Sequence, residues 1–250
     1  LKSASPGPVV RWLLTCEHGG HEVPARWRRQ FRGAREVLHS HRGWDRGALA
    51  TFRILAPAVA DAYFHATTTR LLVDLNRSIG HRALFSEYTR SLPAQEREEI
   101  LEQHYHAWRD PVIERIDRWR RAGDAVLHVS VHSFTPTLNG QVRNADIGLL
   151  YDPGRPWERS VCRRWRQILR DAAPDARVRR NYPYRGSADG FTKTLRRRFP
   201  DGYAGIELEL NEGNVGVRCH HVAEEILASL RVLRREVPAL VDASSESPPA

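Results

Sequence analysis

The stretch TCEHGGHEVP, residues 15–24, follows an apolar run and packs two histidines, two glutamates and two glycines into ten positions. Imidazole nitrogens and a carboxylate oxygen are what zinc prefers, with a fourth position left to water when the site is catalytic. His132 follows the run AVLHVSV in the same way, so His18 and His132 form the natural ligand pair. The third ligand has two candidates. Asp45 stands at the head of a helical segment after His41, and His21 completes an H-x-x-H loop with His18. Two imidazoles and a carboxylate suit zinc better than magnesium, so the expected cofactor is one Zn2+ per chain. Gly19 and Gly20 would let the backbone wrap closely round an ion.

Other reactive groups sit in similar places. Asn76 and Arg77 follow the run LLVDL, and Glu207 and Glu209 lie within IELEL. Residues two apart in a strand point the same way, so either glutamate could serve as a base. Each group also has an ordinary explanation. A lone histidine at a strand end is most often a hydrogen-bonded structural residue, Asn76-Arg77 could cap a turn, and a strand glutamate could pair with an arginine. The gathering of all of them at strand ends is what argues for a site, since ligands of open α/β sheets bind beyond the carboxyl ends of strands.

The elements that must position these groups alternate. Val9–Cys16, Leu71–Leu75, Ala125–Val131, Asp146–Tyr151 and Tyr203–Leu210 read as strands. Gly43–Tyr63, Trp157–Ala172 and Val222–Arg235 have helical spacing. Pro93–Arg121 is a charged helical region, with a break expected near Pro111. Alternation of this kind predicts an α/β fold with a mixed, mostly parallel sheet flanked by helices. At 250 residues and 41% hydrophobic, the chain suits one large domain. That domain is expected over residues 9–240, with flexible termini at 1–8 and 241–250.

Composition narrows the function classes. No apolar run reaches the roughly 18 to 20 residues of a membrane span, and no signal-peptide pattern opens the chain. The chain begins LKSASPGP without an initiator Met, which points to processing or trimming. Three cysteines, Cys16, Cys162 and Cys219, are too few and too scattered for a disulfide framework, so a reducing cytoplasm is expected. The formal charge is +9, yet Lys2 and Lys193 are the only lysines among 39 basic residues, and methionine is absent. That is the residue usage of a GC-rich bacterial genome, so the charge is weak evidence for a nucleic-acid groove. The clusters Arg118–Arg121, Arg163–Arg166 and Arg196–Arg198 read as solvated faces. No specific nucleic-acid partner and no membrane partner is expected, and the basic balance leans towards an acidic substrate.

Seven stretches together resemble the N-formylglutamate amidohydrolase family, whose fold is similar to that of the zinc carboxypeptidases. They are CEHGGHEVP (16–24), HRGWDRGA (41–48), LLVDLNRS (71–78), SVHSF (130–134), VRNADIGLLY (142–151), NYPYRGSADGFTKTL (181–195) and IELELNEG (206–213). They occur in the family's order and span nearly the whole chain. The resemblance implies a zinc-dependent hydrolase of an N-acyl amide on an acidic amino acid, N-formylglutamate being the substrate the family name suggests. It implies metal-binding roles for His18 and His132, a carboxylate clamp at Arg77 with Asn76, and a general base at Glu209. Arg143 would hold the developing oxyanion or a second carboxylate, and Tyr184 would line the pocket. The carboxypeptidase pattern H-x-x-E would need Glu at position 21, where this chain has His21. The third ligand therefore stays open between Asp45, preferred for its place in WDRGA, and His21.

Two functions outside this expectation use the same residues differently. A carboxypeptidase-like enzyme would cleave a peptide with the same machinery. A basic, non-enzymatic binding protein would concentrate arginines and aromatics on one surface and hold no metal.

Overall fold

The computed structural model describes residues 9–214 and 219–245. The run VRWLLTC forms strand β1 (Val10–Cys16). Trp12, Leu14 and Cys16 enter one buried cluster and Leu13 another, so both faces are covered and the sequence reads as a continuous apolar run. The other strands are β2 (Ala62–His65), β3 (Ala125–Phe134), β4 (Thr137–Leu138), β5 (Gln141–Val142), β6 (Ile147–Leu150), β7 (Val178–Arg180) and β8 (Tyr203–Asn211). Six of them form one sheet in the order β2-β1-β3-β8-β6-β7. Neighbours from β2 to β8 pair in parallel, β6 lies antiparallel to β8, and β7 follows β6 in parallel. The sheet is mixed and mostly parallel, in line with the sequence. Strands β4 and β5 make a separate hairpin. Asn139 and Gly140 both have positive φ at its two-residue turn, as a type I′ turn requires.

The helices are α1 (Arg35–Leu38), α2 (Ala48–Val59), α3 (Ala94–Ile100), α4 (Ala107–Arg121), α5 (Pro156–Ala172), α6 (Phe191–Arg198) and α7 (Cys219–Ser245). Apolar side chains of α2, α5 and α7 cover one sheet face, closing over Trp12, Leu127 and Leu208. On the other face Val112 and Ile116 of α4 join Phe191 and Leu195 of α6 over Leu13, Val126 and Tyr203. Towards the carboxyl ends of the strands this second face turns polar. Register brings Thr15, Ser130 and Glu207 level with one another, and His132 level with Glu209.

Several elements differ from expectation. LLVDL (71–75) is not a strand. Its apolar side chains fill a third cluster with Trp27, Phe31 and Tyr105. Its backbone is satisfied by Thr89 Oγ1 donating to Leu72 O at 2.9 Å and by Asp74 N donating to Leu84 O at 2.9 Å. A buried apolar run needs partners for its amides, and hydroxyls and turns serve as well as a ladder. The helix expected over Gly43–Tyr63 is confined to Ala48–Val59, and the segment after it becomes β2. Pro111 breaks nothing. The helical path continues from Ala94 through a wide π turn at Leu101–His106 into α4, and a widened turn upstream accommodates the ring and the missing N–H. Helix α7 runs to Ser245, past its expected end at Arg235 and into the tail expected to be flexible from 241. The rest of that tail and residues 1–8 lie outside the described residues.

Arg196 is not on a solvated face. It is buried, with Nε donating to Glu158 Oε1 at 2.7 Å and its two terminal nitrogens donating to the carbonyls of Gly186 and Gly205. A buried guanidinium needs this full set of acceptors, and here it ties α5, α6 and β8 together. No described helix is long and apolar enough to cross a membrane.

Candidate metal and substrate site

The segment after β1 turns at Cys16 and delivers His18. Asp45 N donates to His18 O at 2.9 Å, so the two loops are joined by backbone before any side chain is considered. His132 arrives from β3. Its Nδ1 lies 2.8 Å from Asp45 Oδ2, and His18 Nδ1 lies 3.4 Å from the same oxygen. The two rings stand 5.1 Å apart between centroids. His18, Asp45 and His132 each offer one ligand atom, all within 4.8 Å of one another, and all three residues are buried.

Each imidazole has its other nitrogen occupied. His18 Nε2 donates to Asp74 Oδ1 at 2.7 Å. His132 Nε2 lies 2.8 Å from Ser130 Oγ and 3.3 Å from Glu17 Oε2. A carboxylate on the far nitrogen is how proteins orient a ligating histidine. Arg70 stands on the other side of Asp45, with Nη1 3.1 Å from Oδ1, and also contacts His18. The guanidinium supplies positive charge to the Asp45 carboxylate, and the donor set of two imidazoles and a carboxylate is one that fits a divalent cation.

The electrostatics agree. Burial raises the Asp45 carboxyl, but Arg70 and the two histidines outweigh it and hold the group well below the usual range. Burial likewise opposes ionisation of Glu17, yet hydrogen bonds and charge from His132 bring it down to about 2. His132 is lowered by burial but raised further by Asp45 and Glu17, and ends well above the ordinary imidazole value. Glu209 goes the other way. Burial pushes it up to about 8, with His132 lowering it and Asp45 and Glu207 raising it.

A cleft of about 210 Å³ opens over the cluster, lined among others by Asn76, Arg77, Ser133, Tyr184 and Glu209. The DLNRS turn beneath Arg77 is clamped. Tyr105 and Arg109 donate to Arg77 O at 2.7 and 3.0 Å, and Ser78 Oγ donates to Asp189 Oδ1 at 2.6 Å. Asn76 Oδ1 accepts from Phe191 N at 2.6 Å, and Arg77 Nη1 donates to Asp189 O at 2.7 Å. Four buried side-chain atoms of the cleft residues make no hydrogen bond: Arg70 Nε, Arg77 Nε (4.0 Å from Asp74 Oδ2), Ser133 Oγ and Glu209 Oε2. Buried polar groups without a hydrogen bond are rare, and four around one cleft mark a surface shaped for something polar.

Glu207 also lines the cleft, but Thr192 Oγ1 donates to its Oε1 at 2.7 Å, which leaves Glu209 as the freer carboxyl. His21 is not in the cluster. It packs 4.3 Å from the His39 ring and 5.0 Å from Trp44, beside a separate groove of about 710 Å³. An H-x-x-H loop brings two histidines close in sequence, but here the chain turns away after Gly20. Arg143 is likewise not among the residues lining the cleft. It lies over the Tyr184 ring at 4.9 Å and donates to Thr135 Oγ1 at 3.4 Å. Arg70 is the guanidinium at the cluster, and nothing in its local pattern, TTTR, marks it. The roles of Asp74 and Glu17 are not marked in the sequence either, since Asp74 meets His18 from 56 residues away and Glu17 meets His132 on another strand.

Gly19 and Gly20 are needed for close packing rather than for ion wrapping. A Cβ on Gly19 would lie 2.8 Å from Ala66 O, and one on Gly20 would run into the Thr67 backbone. Gly20→Ala is therefore expected to lower stability by about 1–3 kcal/mol, seen as an earlier urea midpoint with an unchanged slope.

Fold and site together define an α/β protein with a buried His–Asp–His cluster that could hold a metal ion, in a guanidinium-lined cleft. A model of the N-formylglutamate amidohydrolase family matches residues 10–214. The chain belongs to that family and is a hydrolase. It is similar to the crystal structure of a gene product of Agrobacterium tumefaciens, with 28% identity, a TM-score of 0.71 and coverage of 94% of this chain and 92% of that one. An N-formylglutamate amidohydrolase from Ralstonia eutropha has the same fold, at 17% identity and a TM-score of 0.69 over 92% of this chain and 94% of its own. A metallo-carboxypeptidase from Burkholderia cenocepacia aligns at 14% identity and a TM-score of 0.39, over 97% of this chain and 58% of its own, too distant to carry an argument. A search of curated protein sequences returns no match.

Proposed function

We propose that the protein is a zinc-dependent amidohydrolase that cleaves the N-acyl amide of a small acidic amino acid such as N-formylglutamate. The observation that carries this is the set of buried atoms without a hydrogen bond, two guanidinium nitrogens, a hydroxyl and a carboxyl oxygen, around a cleft beside a three-ligand cluster. His18, Asp45 and His132 would hold the zinc. Bound there, zinc lowers the pKa of water towards about 7 and polarises a carbonyl.

The chain's own groups do the rest. Arg77, with Asn76 beside it, grips the substrate carboxylate in the forked geometry that only a guanidinium offers. Arg70 faces the acyl oxygen as negative charge develops on it. Arg143, stacked on Tyr184 at the mouth, meets a second carboxylate. Glu209 takes a proton from the attacking water and hands it to the leaving amine nitrogen as the C–N bond breaks. A group raised towards neutrality suits both halves of that transfer. A cleft of about 210 Å³ suits one N-acyl amino acid better than a peptide. The unpaired cysteines Cys16 and Cys162 support a reducing, cytoplasmic setting.

The reading is tested by metal analysis of protein purified without chelator, followed by a screen of N-acyl amino acids with zinc restored. About one zinc per chain and turnover of N-formylglutamate are expected. Arg77→Lys should raise KM for a carboxylate-bearing substrate about tenfold or more, because the bidentate contact is lost. Wild-type KM in that variant would remove the clamp.

A further inference from the structure

A buried hydrogen-bond chain runs from the cluster back along the sheet, and its direction can be worked out atom by atom. Thr15 Oγ1 lies 2.7 Å from Glu17 Oε1, and Ser130 Oγ lies 2.6 Å from Glu17 Oε2. An ionised carboxylate only accepts, and a hydroxyl has one proton to give, so both hydroxyls donate to Glu17. Ser130 Oγ must then accept from its other neighbour, His132 Nε2, at 2.8 Å. By the same logic Thr15 Oγ1 accepts from His128 Nε2 at 2.7 Å. His128 Nδ1 is left with the lone pair and takes the Tyr203 hydroxyl proton at 2.7 Å. All six residues are buried, none more than 3% exposed, so solvent offers no alternative partner. Glu17 is the acceptor at the centre from which both arms take their direction. It is not among the residues lining the cleft, so it acts through its neighbours.

We infer that Glu17 is a positioning residue which, through Ser130 and its own approach to the ring, keeps a proton on His132 Nε2, so that Nδ1, which meets the Asp45 carboxylate at 2.8 Å, is the nitrogen turned to the cluster. Asp74 does the same for His18 in one step. The inference rests on the proposed metal role of His132, but the proton placement can be read without any metal.

The test uses the full chain with 15N-labelled histidine, and zinc alone as the probe. Glu17→Met keeps the volume and removes both acceptors. Glu17→Gln keeps one accepting oxygen, which can face Ser130, and serves as the rescue. Wild type should show a slowly exchanging His132 Nε2 proton in both metal-free and zinc-loaded protein. Glu17→Met should lose that protection and bind zinc about 10- to 100-fold more weakly in competition with a chelator, and Glu17→Gln should recover most of both. Zinc affinity within twofold of wild type in Glu17→Met, or a loss in Glu17→Gln as large as in Glu17→Met, overturns the inference. Should Glu17→Met not fold, the wild-type spectrum decides, because an Nε2 without a protected proton overturns it equally. A wild-type protein that takes up no zinc would defeat the proposed function, while the Nε2 signal would still test the proton placement.

Discussion

The His132→Ala variant is expected to purify without zinc and to show no turnover when zinc is added back. The imidazole supplies one of three ligand atoms, and the remaining pair, His18 and Asp45, cannot by themselves make the three-ligand set of a catalytic zinc site. The loss should exceed the about 10- to 100-fold that removal of an outer partner of a ligand costs. Charge adds to the effect. His132 lies between Asp45 and Glu17, at 2.8 and 3.3 Å, and its removal leaves two buried carboxylates without their shared counter-charge, which is strongly destabilising. His132→Asn, which fills more of the space, is the companion that separates lost zinc from lost fold. Metal content by mass spectrometry and chelator competition give the answer. His21→Ala should keep full zinc, since His21 packs on His39 and Trp44. Zinc retained in His132→Ala and lost in His21→Ala would move the ligand set to the other arm of the loop.

Why the sequence led to one part of this site and not another has a physical basis. β1, β3 and β8 are buried on both faces, so their apolar runs are long and their ends are marked by the first polar groups, which are the chemistry. His18, His132 and Glu209 are legible for that reason. LLVDL has the same local signature, but it is buried in a side cluster whose amides are satisfied by turns and hydroxyls, and periodicity is blind to which acceptor an amide finds. Strands β2 and β7 are short edge strands, and the Val-Arg-Arg of β7 resembles the arginine-rich surface around it. Asp45 was readable as a carboxylate near a helix start, although its side chain turns to the histidines and only its carbonyl meets the helix, accepting from Ala48 N at 3.2 Å. Arg70 carries no motif, and Asp74, although it lies within LLVDLNRS, has nothing in its local pattern that points to His18. Their roles exist only once the fold brings the segment at 70–77 against the loop at 18, a contact that spacing along the chain does not encode.

Glu209→Gln should keep its zinc and lose rate. The substitution preserves shape and removes the group that moves the proton, so kcat should fall about 10²- to 10⁴-fold with little change in KM. An unchanged kcat would transfer the role to Glu207, despite the hydrogen bond that Glu207 accepts from Thr192. The same variant has a second readout in the metal-free protein. Burial holds the Glu209 carboxyl up to about 8, against about 4.3 in an unfolded chain. Between those two values the folded state keeps a proton that the unfolded state releases. Stability contributed by the protonated group is therefore complete below about pH 4 and is lost as pH rises towards 8. Glu209→Gln carries no such proton, so its unfolding midpoint should fall less steeply over that window, and above pH 8 the metal-free variant should outlast metal-free wild type. Parallel midpoint curves for the two proteins would show that Glu209 ionises as an ordinary carboxylate, and would leave the enzyme without a base poised near neutrality.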